Sequence, residues 1–316
     1  MLSRRLLRVK VVQMVYAFYK TGETSIPRTE KELFQSISKS HELYHLFLLL
    51  LVEIHAFAVK RIEFGKNKKR PTHDDLYPNT KFIDNLFLNQ LAENKSLLLY
   101  IDQNKISWGD HENVIKNIFK EITSSELYND YMSNGESNNY EKDKKFIAKL
   151  FEKVIAPVED LYGVLEEMSI YWNDEAEFII SMVIKTIKTF EQEKGEEQNL
   201  LPEFKDKEDK DFVKKLFRKS LVNGEQNRDL IKKHTKNWDF ERVAFMDVVI
   251  MQVAITELTE FQEIPARVTL NEYIEIAKFY STNKSGVFIN GIIDKIVEML
   301  IKEGKISETD KKIEKK

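Results

Sequence analysis

The sequence predicts an all-α protein, and three observations carry that prediction. Apolar residues recur at helical spacing through the last third of the chain: Phe245, Val248, Val249, Ile255 and Leu258 form one stripe, and Phe288, Ile289, Ile292, Ile293, Ile296, Val297 and Leu300 another. Ten Gly and six Pro among 316 residues are few, as expected of long helices with few tight turns. A helical pattern of aromatic and aliphatic residues also recurs three times between residues 82 and 249. The length suits about two domains. With no Cys, disulfides, thiolate metal sites and a Cys nucleophile are excluded, and a reducing, cytoplasmic setting is expected. A net charge of -3 gives no global attraction to nucleic acid, so any such contact must come from a local patch.

Residues 1–20 supply one. Arg4, Arg5, Arg8, Lys10 and Lys20 precede the first carboxylate, Glu23, while Val11, Val12, Val15, Ala17 and Phe18 give the helix an apolar side. One reading is a solvated basic face on a docked amphipathic helix. The other is phosphate binding. Arginines at a helix start oppose the macrodipole, so something other than helix stability selects them. A guanidinium pairs phosphate bidentately and stacks on bases. Tyr16 suits either a core position or a stacking platform.

Gly22, Ser25 and Pro27 mark a loop, and the helix after it contains Leu46–Val52, seven apolar residues before Glu53. That run is far short of the ~20 a membrane helix needs and reads as buried core. The same helix carries His41-Glu42-Leu43-Tyr44-His45, a literal H-E-x-x-H. In a zinc protease this spacing puts two imidazoles on one face, with the Glu as general base. A third ligand lacks support here: Leu51 stands where one class has a third His, Glu63 has no surrounding motif, and a charged Lys39 precedes the run. His55, His73, His111 and His234 form no ligand spacing with it. The motif is read as chance, with no metal or cofactor expected.

Gly65–Thr80 reads as an exposed loop whose Lys66, Lys68, Lys69 and Arg70 could supplement an RNA surface. Beyond it lies the internal repeat. Phe82-Ile83-x-x-Leu86-Phe87 is followed by Trp108, Phe146-Ile147-x-x-Leu150-Phe151 by Trp172, and Phe212-Val213-x-x-Leu216-Phe217 by Trp238, each Trp 26 residues after the first Phe. Ile115, Ile179 and Phe245 then correspond, as do Ile118, Met182 and Val248. The spacing suggests a three-helix module present three times. Tyr131–Lys145 and Glu191–Asp211 are polar enough to read as mobile linkers, and Lys302–Lys316 as a frayed tail.

In the last third, the run from Val243 to Leu258 is apolar on nearly every side and predicts a central core helix. Pro265 forces a turn after Phe261. A helix follows from Leu270, then a break at Ser281–Gly286, then a last helix in which Gly291 is expected to permit close backbone approach.

Here a resemblance appears. Glu257-Leu258, Ile264-Pro265, Val268-x-Leu270-Asn271-Glu272, Ile276-Ala277-Lys278 and Phe288-Ile289-Asn290-Gly291-x-Ile293-Asp294-Lys295 resemble the NusB family of transcription antitermination factors. Arg4-Arg5, Arg8, Gln13 and Tyr16-Ala17 resemble that family's arginine-rich first helix, although Leu6 and Leu7 depart from its denser Arg and Ala run. The resemblance implies a NusB-like helical bundle formed by the first helix, 1–20, and the C-terminal third, 205–303. Additional related helical units would fill an inserted region, 21–204, with possible repeats at 82–126 and 146–190, and 304–316 would form a mobile tail. It implies binding of boxA-type RNA with the NusE ribosomal protein, within the RNA polymerase antitermination complex on ribosomal RNA operons. The RNA-binding residues it implies are Arg4, Arg5, Arg8, Gln13, Tyr16, Lys284, Ser285 and Phe288. Replacing the three arginines is then expected to leave stability nearly unchanged. The chain shows no Gly-rich phosphate loop, nucleophile elbow or carboxylate pair in motif context, which favours a binding protein over an enzyme. The alternatives are a helical protein-interaction scaffold without an RNA role and a zinc hydrolase built on HELYH.

Overall fold

Short polar side chains start many of the helices by accepting the free amides of a first turn. Ser3 accepts from the Leu6 amide, and Asn85, Asn94, Ser125, Asn139 and Asp206 do the same three residues ahead of themselves. The computed structural model describes residues 3–135, 137–172, 175–235, 243–282 and 284–306, and its regular elements among them are helical. In order they are α1 (Arg4–Thr21), α2 (Ile26–Lys66), α3 (His73–Leu76), α4 (Leu86–Ala92), α5 (Lys95–Asn104), α6 (Glu112–Ser124), α7 (Glu126–Ser133), α8 (Tyr140–Leu150), α9 (Glu159–Met168), α10 (Ala176–Thr189), α11 (Lys207–Val222), α12 (Gly224–His234), α13 (Phe245–Glu260), α14 (Ala266–Tyr280) and α15 (Ser285–Lys302). The chain divides into two units, Met1–Ile37 with Glu203–Lys316, and Ser38–Pro202.

The first unit is built on α13. Every residue from Asp247 to Leu258 is buried, as an apolar circumference requires. α1, α11, α12, α14 and α15 all pack against it, so the opening helix and the last third of the sequence form one bundle. α1 contributes Leu6, Leu7, Val11, Val12 and Val15 to the core and ends at Gly22, whose φ of 68° closes the helix in the left-handed region. The turn at Phe261–Pro265 hands the chain to α14, and α15 buries Ile289, Ile292, Ile293, Ile296, Val297 and Leu300. Gly291 does not serve close packing: a Cβ built there meets nothing within 4 Å. The tight position is Gly224, where a Cβ would overlap the Tyr19 hydroxyl and lie 3.0 Å from Gln252 Nε2.

In the second unit the core runs through α2, where Leu43–Leu51 are all buried. α2 is long and apolar enough to cross a membrane by length and composition, but 67% of its most apolar window is buried within the fold. Trp108 donates its indole N–H to the Leu46 carbonyl at 3.0 Å, and Trp172 donates to the Lys39 carbonyl at 2.8 Å. The two acceptors lie two helical turns apart on α2. α4 and α5 precede Trp108 and α6 follows it; α8 and α9 precede Trp172 and α10 follows it. Phe146-Ile147 and Phe212-Val213 are helical, whereas Phe82-Ile83 sit in a turn because Asn85 caps α4 behind them. Trp238 lies outside the described residues.

Glu191–Gln198 differs from the mobile linker its composition suggests. Residues 192–197 form a 3-10 turn. Gln90 Nε2 donates to the Glu191 and Gly195 carbonyls at 3.0 and 2.8 Å, and Asn94 Nδ2 to the Gln198 carbonyl at 2.7 Å. Charged side chains face outward while amide side chains hold the backbone.

The HELYH run is an interior packing site. His45 stacks on Tyr100 with ring centroids 3.5 Å apart and bonds the His41 carbonyl through Nδ1; His41 Nε2 bonds the Leu201 carbonyl at 2.8 Å. Burial, with His41 beside it, lowers the His45 pKa to about 3. Among the described residues no group of three or more His, Asp or Glu is placed to hold a metal.

Candidate nucleic-acid interface

The arginines of α1 stand in three environments. Arg8 is 3% exposed and meets Glu257, which is fully buried, through two parallel bonds: Nε to Oε2 at 2.8 Å and Nη2 to Oε1 at 2.7 Å. Two hydroxyls complete the carboxylate, Thr269 Oγ1 donating to Oε1 at 2.9 Å and Tyr273 Oη to Oε2 at 3.0 Å. Burial and the adjacent carboxylate push the Tyr273 phenol well above its ordinary value. Such a pair persists because each charge is matched and hydrogen-bonded; removing one partner would strand the other. The expectation that all three arginines can be replaced without loss of stability therefore does not extend to Arg8.

Arg5 is half-exposed and makes a bidentate pair with Glu272, both bonds 2.8 Å. The Arg5 hydrogen bonds hold the Glu272 carboxyl below its usual range. Arg4 Nε donates to Asp209 at 2.8 Å, with Arg4 45% exposed. Asp209 lies in the first turn of α11, where the helix N-terminus also favours its charge. The Arg4 and Arg8 guanidinium carbons lie 5.4 and 5.3 Å from the Phe212 ring centroid, so one aromatic side chain supports both cations.

Of the remaining predicted residues, Tyr16 and Ser285 contact the start of α13. Gln13 is partly exposed; Tyr16 is too, with its ring 5.5 Å from Phe245 and the Lys20 ammonium 5.7 Å from it. Ser285 is buried and donates to Asp247 Oδ2 at 2.9 Å, while Ser281 donates to Oδ1 of the same carboxylate. Ser285 thereby ties the α14–α15 corner to α13. Lys284 beside it is exposed and Phe288 partly exposed. α1 runs antiparallel to α13, because Arg8 meets Glu257 while Tyr16 meets Phe245. Arg4 and Tyr16 thus lie toward opposite ends of α1, separated by roughly the 18 Å that twelve helical residues span.

Sequence reasoning did not identify Asp209, Phe212, Asp247, Thr269 or Tyr273 as partners. A visible signal existed for Asp247 and Glu257, since carboxylates inside a run apolar on all sides need buried donors. Nothing in spacing reveals which donors those are.

A model of the NusB family matches residues 176–298, leaving α1 outside the match. The chain is 39% identical over 133 residues to a transcription antitermination protein NusB of Salinibacter ruber, covering 40% of this chain and 83% of that protein. It is 42% identical over 85 residues to the protein of the same name from Chloroherpeton thalassium, covering 27% of this chain and 40% of that one. No solved structure matches the chain significantly.

Proposed function

We propose that this chain, which belongs to the NusB family of transcription antitermination proteins, acts on ribosomal RNA operons by binding boxA-type single-stranded RNA together with the NusE ribosomal protein. In this reading it is an RNA-binding component of the polymerase antitermination complex and not an enzyme. The observation that supports the reading best is the graded burial of the α1 arginines. A half-exposed ion pair contributes about 1 kcal/mol at most, so Arg5 can exchange Glu272 for a phosphate at little cost. Arg4 is held more firmly, because the side chain of its partner Asp209 is only 4% exposed and would keep just the α11 N-terminus to offset its charge if Arg4 turned to a phosphate. Arg8 cannot leave Glu257 and instead fixes α1 so that its neighbours face outward.

Beyond the arginines, Lys284 offers an exposed ammonium and Tyr16 and Phe288 partly exposed rings. Phosphates pair with Arg4, Arg5 and Lys284 while bases stack on Tyr16 or Phe288 and Gln13 hydrogen-bonds a base edge. Ser285 acts by positioning the α15 start through Asp247. The test is a titration of the full chain with labelled boxA-type RNA and a scrambled control, with and without the purified NusE protein. Tighter binding of the boxA sequence, strengthened by NusE, supports the reading; equal, NusE-independent affinity for both RNAs counts against it.

A further inference from the structure

A second concentration of positive charge lies in the other unit, at the end of α2 and in the connection to α4. We propose that residues 60–77 form a separate single-stranded RNA-binding surface, an inference that rests on the RNA reading above but involves none of its residues. In a chain of net charge -3, this stretch carries six basic side chains against three carboxylates. Lys60, Arg61, Lys66, Lys69 and Arg70 are exposed, and among the described residues none of the five has an ion-pair partner. The arginines of α1, by contrast, each face a carboxylate.

The three local carboxylates do not cancel the surplus. Asp75 is engaged by Lys68 Nζ at 2.7 Å and by the Thr72 amide at 2.9 Å, closing the cap of α3. Glu63 and Asp74 remain exposed, with Asp74 3.6 Å from His73 Nδ1, and neither pairs with the five cations among the described residues.

Exposed rings accompany the charge. Phe64 and Tyr77 are each 73% exposed, and the His73 ring lies 5.0 Å from that of Tyr77. The Arg61 guanidinium carbon sits 5.6 Å from the Phe119 centroid, which holds its plane while leaving the fork in solvent. One exposed aromatic is ordinary in a soluble protein. Two of them interleaved with unpaired Lys and Arg make the pairing of stacking faces and phosphate neutralisation by which single strands are held without strict sequence preference. An acidic protein segment could satisfy the cations but has less use for stacking faces, so RNA is the occupant assigned.

The experiment compares the intact chain with Lys66→Glu/Lys69→Glu/Arg70→Glu and with Phe64→Ala/Tyr77→Ala, all confirmed folded by circular dichroism. Each is titrated with a 10-nucleotide boxA-type RNA and with a 30-nucleotide RNA carrying 4-thiouridine for crosslink mapping. Both variants should bind the long RNA about tenfold or more weakly, and the charge reversal should flatten its log K against log[salt] slope by about 2, at ~0.7 per phosphate. Binding of the short RNA should be unchanged, and crosslinks should fall within 60–77. Unchanged long-RNA affinity and slope in both variants overturn the proposal. Crosslinks confined to 1–20 and 284–288 overturn it while leaving the α1 reading intact. Crosslinks at 60–77 in an Arg4→Ala/Arg5→Ala variant that still binds the short RNA normally support it and remove the α1 reading instead. Undiminished RNA binding with reduced capture of purified NusE would assign the patch to protein and overturn the proposal.

Discussion

Replacing Arg8 by Ala leaves the fully buried Glu257 carboxylate with two neutral hydroxyl donors and no cation. Breaking a buried pair by removing one partner costs about 3–5 kcal/mol. The guanidinium also leaves the Phe212 ring, 5.3 Å away, and vacates the packed interface of α1 with α11 and α13. At about 2–4 °C per kcal/mol for a domain of roughly 150 residues, the melting temperature should fall by about 10 °C. Thermal denaturation followed by circular dichroism measures this directly. A paired control separates stranded charge from lost packing: Arg8→Met with Glu257→Gln removes both charges while an amide oxygen still accepts from Thr269 or Tyr273, and should recover more than half of the loss. If Arg8→Ala melts within about 2 °C of the parent chain, the pair does not anchor α1 and the division of labour among the arginines is wrong.

Three further changes have defined outcomes. His45 is neutral in the fold, with its pKa held near 3 against an ordinary value of 6.5, so the unfolded chain takes up a proton that the folded one refuses between those pH values. Stability should therefore be complete above about pH 6.5 and decline by up to ~1.4 kcal/mol per pH unit below it, or about 2 kcal/mol at pH 5; His45→Phe, which can keep the stack on Tyr100, should flatten that limb in urea titrations. Gly224→Ala should destabilise by about 1–3 kcal/mol, because the new methyl meets the Tyr19 hydroxyl and the buried Gln252 amide; an unchanged urea midpoint would show that Tyr19 simply moves aside. Arg5→Ala should melt within a few degrees of the parent, since its pair with Glu272 is partly exposed, while adding Arg4→Ala should lower the midpoint further because Asp209 is buried.

Much of the fold was legible because it rests on local signals. The all-helical class followed from periodicity, and α13 from an apolar run with no polar face. The break at Pro265 was equally readable. The candidate site was legible as a set of positions but not as an arrangement. Arg8 finds its partner 249 residues away, and no spacing rule links them. Ser285 resembled an RNA contact, yet Asp247, 38 residues upstream, draws its hydroxyl into the bundle. Glu191–Gln198 read as mobile on composition alone, but its carbonyls are held by amide side chains about 100 residues earlier. In each case a buried polar group had to be satisfied, and the partner came from tertiary structure.

The central claim is that exposed guanidinium groups at the start of α1 neutralise RNA phosphates. The measurement that tests it most directly is the salt dependence of boxA-type RNA affinity for the parent chain and for Arg4→Ala/Arg5→Ala. With three to five phosphates engaged, the parent slope of log K against log[salt] should lie between roughly -2 and -3.5, and the variant should be shallower by about 1.4, at ~0.7 per lost contact. Identical slopes and affinities for the two proteins would contradict it.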